Sequence, residues 1–130
     1  MKVYRHLLYG FFFFLPTFLV AQQDTTSHTI FSVSDTVFAK KLFDESVLLM
    51  QKQKPVEALQ KLDSAEVIYT QLFGEKDFKL SRVWNLRGLL YDQQNKLDNA
   101  NASYLMAVSI IKGTLGENNR DIGVLYNNRF

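Results

Sequence analysis

The chain lacks several of the residue types on which catalysis and metal binding usually depend. None of its 130 residues is a cysteine, which excludes disulfides, thiolate zinc sites, a cysteine nucleophile and a lipid anchor on a cysteine next to the leader. Only one histidine, His28, lies beyond the N-terminal leader described below, in a stretch rich in Thr and Ser. Metal sets of His and Cys, Cys-His pairs and Ser-His-Asp triads therefore cannot be assembled convincingly.

Glycine-rich phosphate-binding loops are missing as well. Gly113 and Gly116 are only two glycines at the predicted end of a helix. The carboxylate pair Asp44 and Glu45 falls at a surface position, where a solvated role is far commoner than acid–base work. We therefore expect a protein that is not an enzyme and that holds no catalytic residue, cofactor or metal.

A surplus of one charge is also absent outside the leader. The chain has 15 Lys and Arg against 13 Asp and Glu, but Lys2 and Arg5 lie in the leader, which contains no acid. The remainder therefore carries 13 basic and 13 acidic side chains. No basic field remains for nucleic acid or anionic lipid, so we expect no nucleic-acid partner.

The N-terminal residues 1–21 have the order of a secretory signal peptide. A short basic start precedes an apolar run from Leu7 to Val20, and Ala21 offers a small residue for cleavage. The run is shorter than the roughly 20 residues that span a bilayer as a helix, and Pro16 would kink it. We predict cleavage after Ala21 and export to the periplasm, the cell surface or the medium. The alternative is an uncleaved membrane anchor.

Residues 22–34 are predicted to be a flexible spacer. They are rich in Thr, Ser and Gln, and Ile30, Phe31 and Val33 are too few to form a core. The next helix is expected to begin at a cap on Ser34 or Asp35 and to end near Gln53.

The rest of the chain repeats itself at an offset of 42 residues. Identical pairs at this offset include Leu48 and Leu90, Lys54 and Lys96, Ala58 and Ala100, Ala65 and Ala107, and Gly74 and Gly116. Such a period is the signature of a repeat protein. We predict repeats over about 35–76 and 77–118, with a partial repeat at 119–130.

Each repeat is predicted to contain two helices. Pro55 suits the first turn of a helix, and the apolar residues from Ala58 to Leu72 recur at intervals of four and three residues, as on one face of a helix. Gly74 predicts the end of that helix, and Asp77 predicts the cap of the next. Two such helices expose an apolar side until a neighbour covers it. The fold class is therefore all-α, with antiparallel helix pairs packed side by side.

Within this pattern stand the residues of a known signature: Trp84, Gly88, Tyr91, Ala100, Tyr104 and Ala107. Their order and spacing resemble the tetratricopeptide repeat, and the 42-residue period resembles its kinesin-light-chain-like subtype. Some positions depart from the family pattern. The glycine usual at the turn between helices is Gln53 or Asn95 here, and the apolar residue usual before the glycine of the first helix is Arg87. With this leader, the chain resembles exported bacterial repeat proteins of the Bacteroidetes type.

The resemblance implies an interaction scaffold. Its partner would be a protein or peptide held in the concave groove that the first helices of the repeats line. The groove-facing candidates implied by the resemblance are Lys40, Arg82, Asn85, Leu89, Asp92 and Asn127.

Two alternatives to this interpretation remain open. The repeat pattern stops partway at Phe130, so the chain is predicted to be a fragment. It would then be the N-terminal sensor segment of a larger signalling protein, with a caspase-like peptidase or histidine kinase domain. Self-association through an uncovered end is the second alternative. A membrane would be involved only through an uncleaved leader or a missing C-terminal part.

Overall fold

A computed structural model describes the backbone of residues 24–129 and the side chains of residues 33–124 and of Asn127. The predicted signal peptide, residues 1–21, lies outside the described residues. Residues 24–129 contain no strand, so the prediction of an all-α protein is confirmed. The helices are α1 Asp24–Gln51, α2 Pro55–Phe73, α3 Phe78–Gln93, α4 Leu97–Leu115 and α5 Arg120–Arg129.

Helix α1 begins earlier than predicted. It starts at Asp24 and continues through Ser34 and Asp35, so the prediction of a helix start at those two residues is wrong. The backbone of residues 24–34, which fall in the predicted spacer, is helical. No glycine or proline interrupts the chain here, and each residue added to an existing helix gains a backbone hydrogen bond. The polar composition of this segment therefore does not stop the helix.

The helices pair as two hairpins. Helix α1 packs along α2, and α3 packs along α4. Turns as short as those at residues 52–54 and 94–96 make the joined helices antiparallel. We call α1 with α2 the first hairpin, and α3 with α4 the second hairpin. The two are joined mainly where α2 packs against α3, and α5 packs against α4.

The helix ends lie where proline, glycine and aspartate predict them. Helix α2 begins at Pro55. Gly74 and Gly116 end α2 and α4 with φ of 83° and 89° and ψ of 165°, a backbone region essentially restricted to glycine. The Asp77 carboxylate accepts a 2.8 Å hydrogen bond from the backbone N–H of Lys79, which caps α3.

The turns inside the two hairpins share an unusual backbone conformation. Gln53 has φ of 60° and Asn95, 42 residues later, has φ of 56°. Lys54 and Lys96 follow with φ of −114° and −95° and ψ of 63° and 69°. Positions 42 residues apart therefore have matching backbone angles, although neither left-handed residue is a glycine.

Alanines lie where the helices approach each other, as the sequence predicts. Ala58, Ala65, Ala100 and Ala107 are all at most 1% exposed, and short side chains allow helix axes to come close. One core cluster forms mainly from α1, α2 and α3, and a smaller one from α4 and α5. Trp84 packs against both clusters, so it connects the two parts of the core.

Arg87 departs from the resemblance but is accommodated by acids on the neighbouring hairpin. Its guanidinium forms ion pairs with Asp63, at 2.7 Å, and with Glu66, both on α2. The guanidinium carbon also lies 4.8 Å from the centroid of the Trp84 ring. Burial raises the pKa of Glu66, and the charge of Arg87 offsets only part of that shift. Arg87 therefore joins α3 to α2 where an apolar side chain would otherwise pack.

Candidate binding groove

An open groove of about 640 Å³ runs across the first helices of the two hairpins and the start of α5. We call this feature the groove. Its lining residues are Phe43, Val47 and Met50 of α1; Phe78, Ser81, Arg82, Asn85, Leu86 and Leu89 of α3; Ile111 of α4; and Asp121 and Val124 of α5.

Helical periodicity explains why these residues meet. On α3, Phe78, Arg82, Asn85 and Leu89 are spaced by four, three and four residues, so they lie on one face of the helix. Other α3 positions, such as Val83, are fully buried in the core. The packing of one side of α3 therefore leaves the other side along the groove.

The groove combines an apolar lining with a few polar groups. The guanidinium carbon of Arg82 lies 5.2 Å from the centroid of the Phe43 ring, a cation–π distance. The hydroxyl of Ser81 donates a 2.7 Å hydrogen bond to the Phe78 carbonyl, so it is engaged within its own helix. The Asn85 amide and the Asp121 carboxylate complete the polar lining. Predominantly apolar surfaces with a few placed polar groups are typical of binding sites.

A smaller pocket of about 190 Å³ adjoins the groove. Its lining residues are Thr36, Lys40, Phe43, Asp44, Tyr69, Lys79 and Arg82, of which Phe43 and Arg82 also line the groove. We call it the side pocket. Three of its residues are cations and one is an acid.

Each side-pocket cation has a local contact. Lys40 Nζ lies 2.6 Å from the Asp44 carboxylate, and Lys79 Nζ lies 3.9 Å from the centroid of the Phe73 ring. Burial is the main cause of the raised pKa of Tyr69. The charge of Asp44 also raises this pKa, whereas those of Arg82 and Lys40 lower it. The side pocket is thus a partly buried, net cationic end of the groove.

The structure brings together some of the six candidate residues. Arg82, Asn85 and Leu89 line the groove. Lys40 lines the side pocket, which Arg82 connects to the groove. Asn127 is an exposed residue of α5 outside the groove lining.

Asp92 has a different environment from the other candidates. Its carboxylate accepts a 2.5 Å hydrogen bond from the Tyr104 hydroxyl on α4, and it does not line the groove. Burial, together with the bond to Asp92 and the charge of Asp92, raises the pKa of Tyr104. In this structure Asp92 joins the two helices of the second hairpin.

The sequence-based candidates do not include the α1 residues that line the groove. Phe43 and Val47 stand 42 residues before Asn85 and Leu89, both of which were candidates. The repeat offset was therefore a signal that could have found them. Other lining residues absent from the candidates are Met50, Phe78, Ser81, Leu86, Ile111, Asp121 and Val124.

Among the side chains that the structure describes, those of residues 33–124 and of Asn127, no three His, Cys, Asp or Glu lie close enough together to hold a metal ion. None of the helices between residues 24 and 129 is long and apolar enough to cross a membrane.

Comparison with known proteins finds no match among family models, curated proteins or solved structures. Function is therefore inferred from the geometry of the groove.

Proposed function

We propose that the chain is a non-catalytic, tetratricopeptide-repeat-like scaffold that holds a peptide or a helix of a partner protein in the groove. The observation that carries this proposal is the lining of one groove by Arg82, Asn85 and Leu89 together with Phe43 and Val47. The matching turn geometry of the two hairpins at the 42-residue offset supports the repeat architecture.

The apolar lining supplies the driving force for binding. Phe43, Val47, Met50 and Leu89 are partly buried, so each keeps some surface for a ligand. Burying apolar surface contributes about 25 cal/mol per Å². The opposite sides of α1 and α3 are anchored in the core, so little ordering of the groove is needed when a ligand binds.

The charges around the groove define an orientation for the ligand. Lys40, Lys79 and Arg82 lie on the side formed by α1 and α3, whereas Asp121 lies on α5. A complementary segment carries an acidic group near Arg82, apolar side chains in the middle and a basic group near Asp121. The Asn85 amide can both donate to and accept from the backbone of that segment.

The proposal includes export of the scaffold. It rests on the order of the leader, in which a basic start, an apolar run and a small residue at Ala21 follow one another. The groove would then bind its partner in the periplasm, at the cell surface or in the medium.

A peptide selection tests the binding proposal. Peptides are selected on the full chain from a random library displayed on phage, and their dissociation constants are measured by fluorescence anisotropy. We expect Leu89→Asp to weaken binding roughly tenfold or more, because it places an unpaired carboxylate in the apolar lining. The matched control is Leu105→Asp, at an exposed residue of α4 that does not line the groove.

The charge arrangement is tested on the same peptides. We expect Arg82→Glu to weaken the binding of peptides with an acidic end and to leave neutral peptides less affected. Selected peptides that bind equally well to wild type and Leu89→Asp would contradict the proposed groove.

A further inference from the structure

Besides the side that lines the groove, α1 has another side on which large apolar residues lie exposed. Phe38, Lys41, Glu45 and Leu48 are spaced by three, four and three residues, so they lie on one side of the helix. Phe38 is 52% exposed and Leu48 is 54% exposed. We call these four residues the α1 outer face. It is distinct from the α1 residues that line the groove.

The matching positions on α3 show what such a face does when a neighbour covers it. Leu80 and Leu90 stand 42 residues after Phe38 and Leu48, and they are 2% and 0% exposed. Both belong to the core cluster that α3 forms with α1 and α2. On the α1 outer face, apolar residues therefore occupy positions that are buried in α3. In α1 their side chains are about half exposed, because no helix of the part of the chain that the structure describes covers them.

The pattern of this face is complementary to itself. Phe38 and Leu48 are equally distant from the midpoint between Lys41 and Glu45. When two such faces pack antiparallel, Phe38 meets Leu48 of the second copy, and Lys41 meets Glu45 of the second copy. Opposite charges then face each other at both central contacts, as a twofold interface requires.

We propose that the α1 outer face binds a second copy of this chain in an antiparallel, twofold-symmetric dimer. The self-complementary order of charges favours a second copy as the occupant, and it favours the antiparallel orientation because a parallel one would set Lys41 against Lys41 and Glu45 against Glu45. Glu45 already pairs with Lys61 at 2.8 Å, so the new contact extends an existing ion pair. The face is a narrow stripe, and a small interface of this kind gives a weak dimer.

Dimerisation through this face is compatible with peptide binding. The groove is lined by Phe43, Val47 and Met50, which lie on a different side of α1. The dimer thus presents two grooves and adds avidity for a partner with two binding segments. This inference goes beyond the proposed peptide binding and does not depend on it.

The absence of cysteine from the chain permits a direct cross-linking test. The full chain is prepared separately as Phe38→Cys and as Leu48→Cys, and each is oxidised alone and in an equal mixture. In the antiparallel dimer, equivalent residues of the two copies lie about 15 Å apart along the helix axis, which is too far for a disulfide. We expect disulfide-linked dimers in the mixture and not in either variant alone.

Two controls complete the test. A mixture of Phe38→Cys with Leu105→Cys is expected to give no cross-link, because Leu105 lies on α4, away from the proposed interface. Sedimentation equilibrium of the uncross-linked wild type is expected to show dissociation in the micromolar range, whereas Leu48→Glu stays monomeric with an unchanged circular-dichroism spectrum. A monomer at every concentration, or cross-linking of each cysteine variant with itself, overturns the proposal.

Discussion

The first and second hairpins differ at a point of close contact between their two helices. In the first hairpin, Ser46 is fully buried, and its hydroxyl donates a 2.9 Å hydrogen bond to the carbonyl of Ala58. The residue 42 positions later is Gly88, where an added Cβ would overlap the ring of Tyr104. The position that matches Tyr104 in the first hairpin holds Leu62, which is also fully buried.

The comparison shows that one backbone arrangement accepts two different packings. A serine is combined with a leucine in the first hairpin, and a glycine is combined with a tyrosine in the second. Cores tolerate changes that conserve total volume much better than changes at a single position. The small residue on one helix and the large residue on the other are therefore coupled. Exchanging only one of them between the hairpins is expected to lower the free energy of unfolding.

The largest predicted effect comes from placing the serine of the first hairpin in the second. Gly88→Ser puts a side chain where the Tyr104 ring lies, so we expect a loss of about 1–3 kcal/mol in the free energy of unfolding. Urea denaturation followed by circular dichroism measures it. The matched control is Gly113→Ser, because a Cβ at Gly113 meets no atom within 4 Å.

The coupling itself is measured by a double-mutant cycle. Adding Tyr104→Leu to Gly88→Ser recreates the pair of the first hairpin, and we expect it to recover part of the lost stability. Coupled neighbours typically show interaction energies of about 0.5–3 kcal/mol. If the double variant loses as much free energy of unfolding as the two single variants together, the second hairpin does not accept the packing of the first.

A second prediction uses the titratable pair that only the second hairpin has. The Tyr104 hydroxyl donates to Asp92, whereas the matching residues in the first hairpin are Leu62 and Met50. The pKa of Tyr104 is raised in the folded state, so above about pH 10 the unfolded chain releases the phenolic proton first. Stability therefore falls as pH rises through this range, by at most about 1.4 kcal/mol per pH unit for one group.

Alkaline denaturation of wild type and Tyr104→Phe checks this prediction. The variant cannot ionise at position 104, so its stability should fall less between about pH 9 and about pH 11. Asp92→Asn keeps an acceptor but removes the charge that helps to raise the pKa of Tyr104, and we expect intermediate behaviour. Parallel pH profiles for wild type and Tyr104→Phe would show that this pair does not control the alkaline transition.

The smallest predicted effect concerns the turns within the hairpins. Gln53 and Asn95 both have positive φ, but asparagine tolerates the left-handed region better than glutamine does. We expect Gln53→Gly to raise the free energy of unfolding by about 0.5–1 kcal/mol, because the strain relieved exceeds the entropy that glycine loses on folding. Asn95→Gly should gain less, and thermal unfolding compares the two. Equal increases in stability for the two variants would show that glutamine and asparagine are equally strained in these turns.

Much of the helical framework could be predicted from local sequence. Pro55, Gly74 and Asp77 mark helix ends because each residue acts on its own backbone. The interval of the buried alanines reports a helix face directly. Half of the candidate residues that the resemblance implied, Arg82, Asn85 and Leu89, line the groove.

The remaining features depend on contacts between distant parts of the chain. The pairing of Arg87 with Asp63 and Glu66 joins α3 to α2. No local sequence pattern predicts this contact, because its residues lie on different helices. Asp92 has the spacing of a groove residue, but the Tyr104 hydroxyl across the hairpin engages its carboxylate. The polar composition of residues 22–34 predicts a later start for α1, but these residues contain no glycine or proline, and the helix begins at Asp24.

The amino-acid sequence alone determined the all-α class, the 42-residue offset and most helix ends, because these follow from backbone preferences and from apolar spacing along a single helix. The tertiary structure decided which helix sides became the core, how Phe43 and Val47 came to face the same groove as Asn85 and Leu89, and which outer face of α1 stayed exposed. Those outcomes depend on the volume and charge of side chains that meet only when separate helices pack.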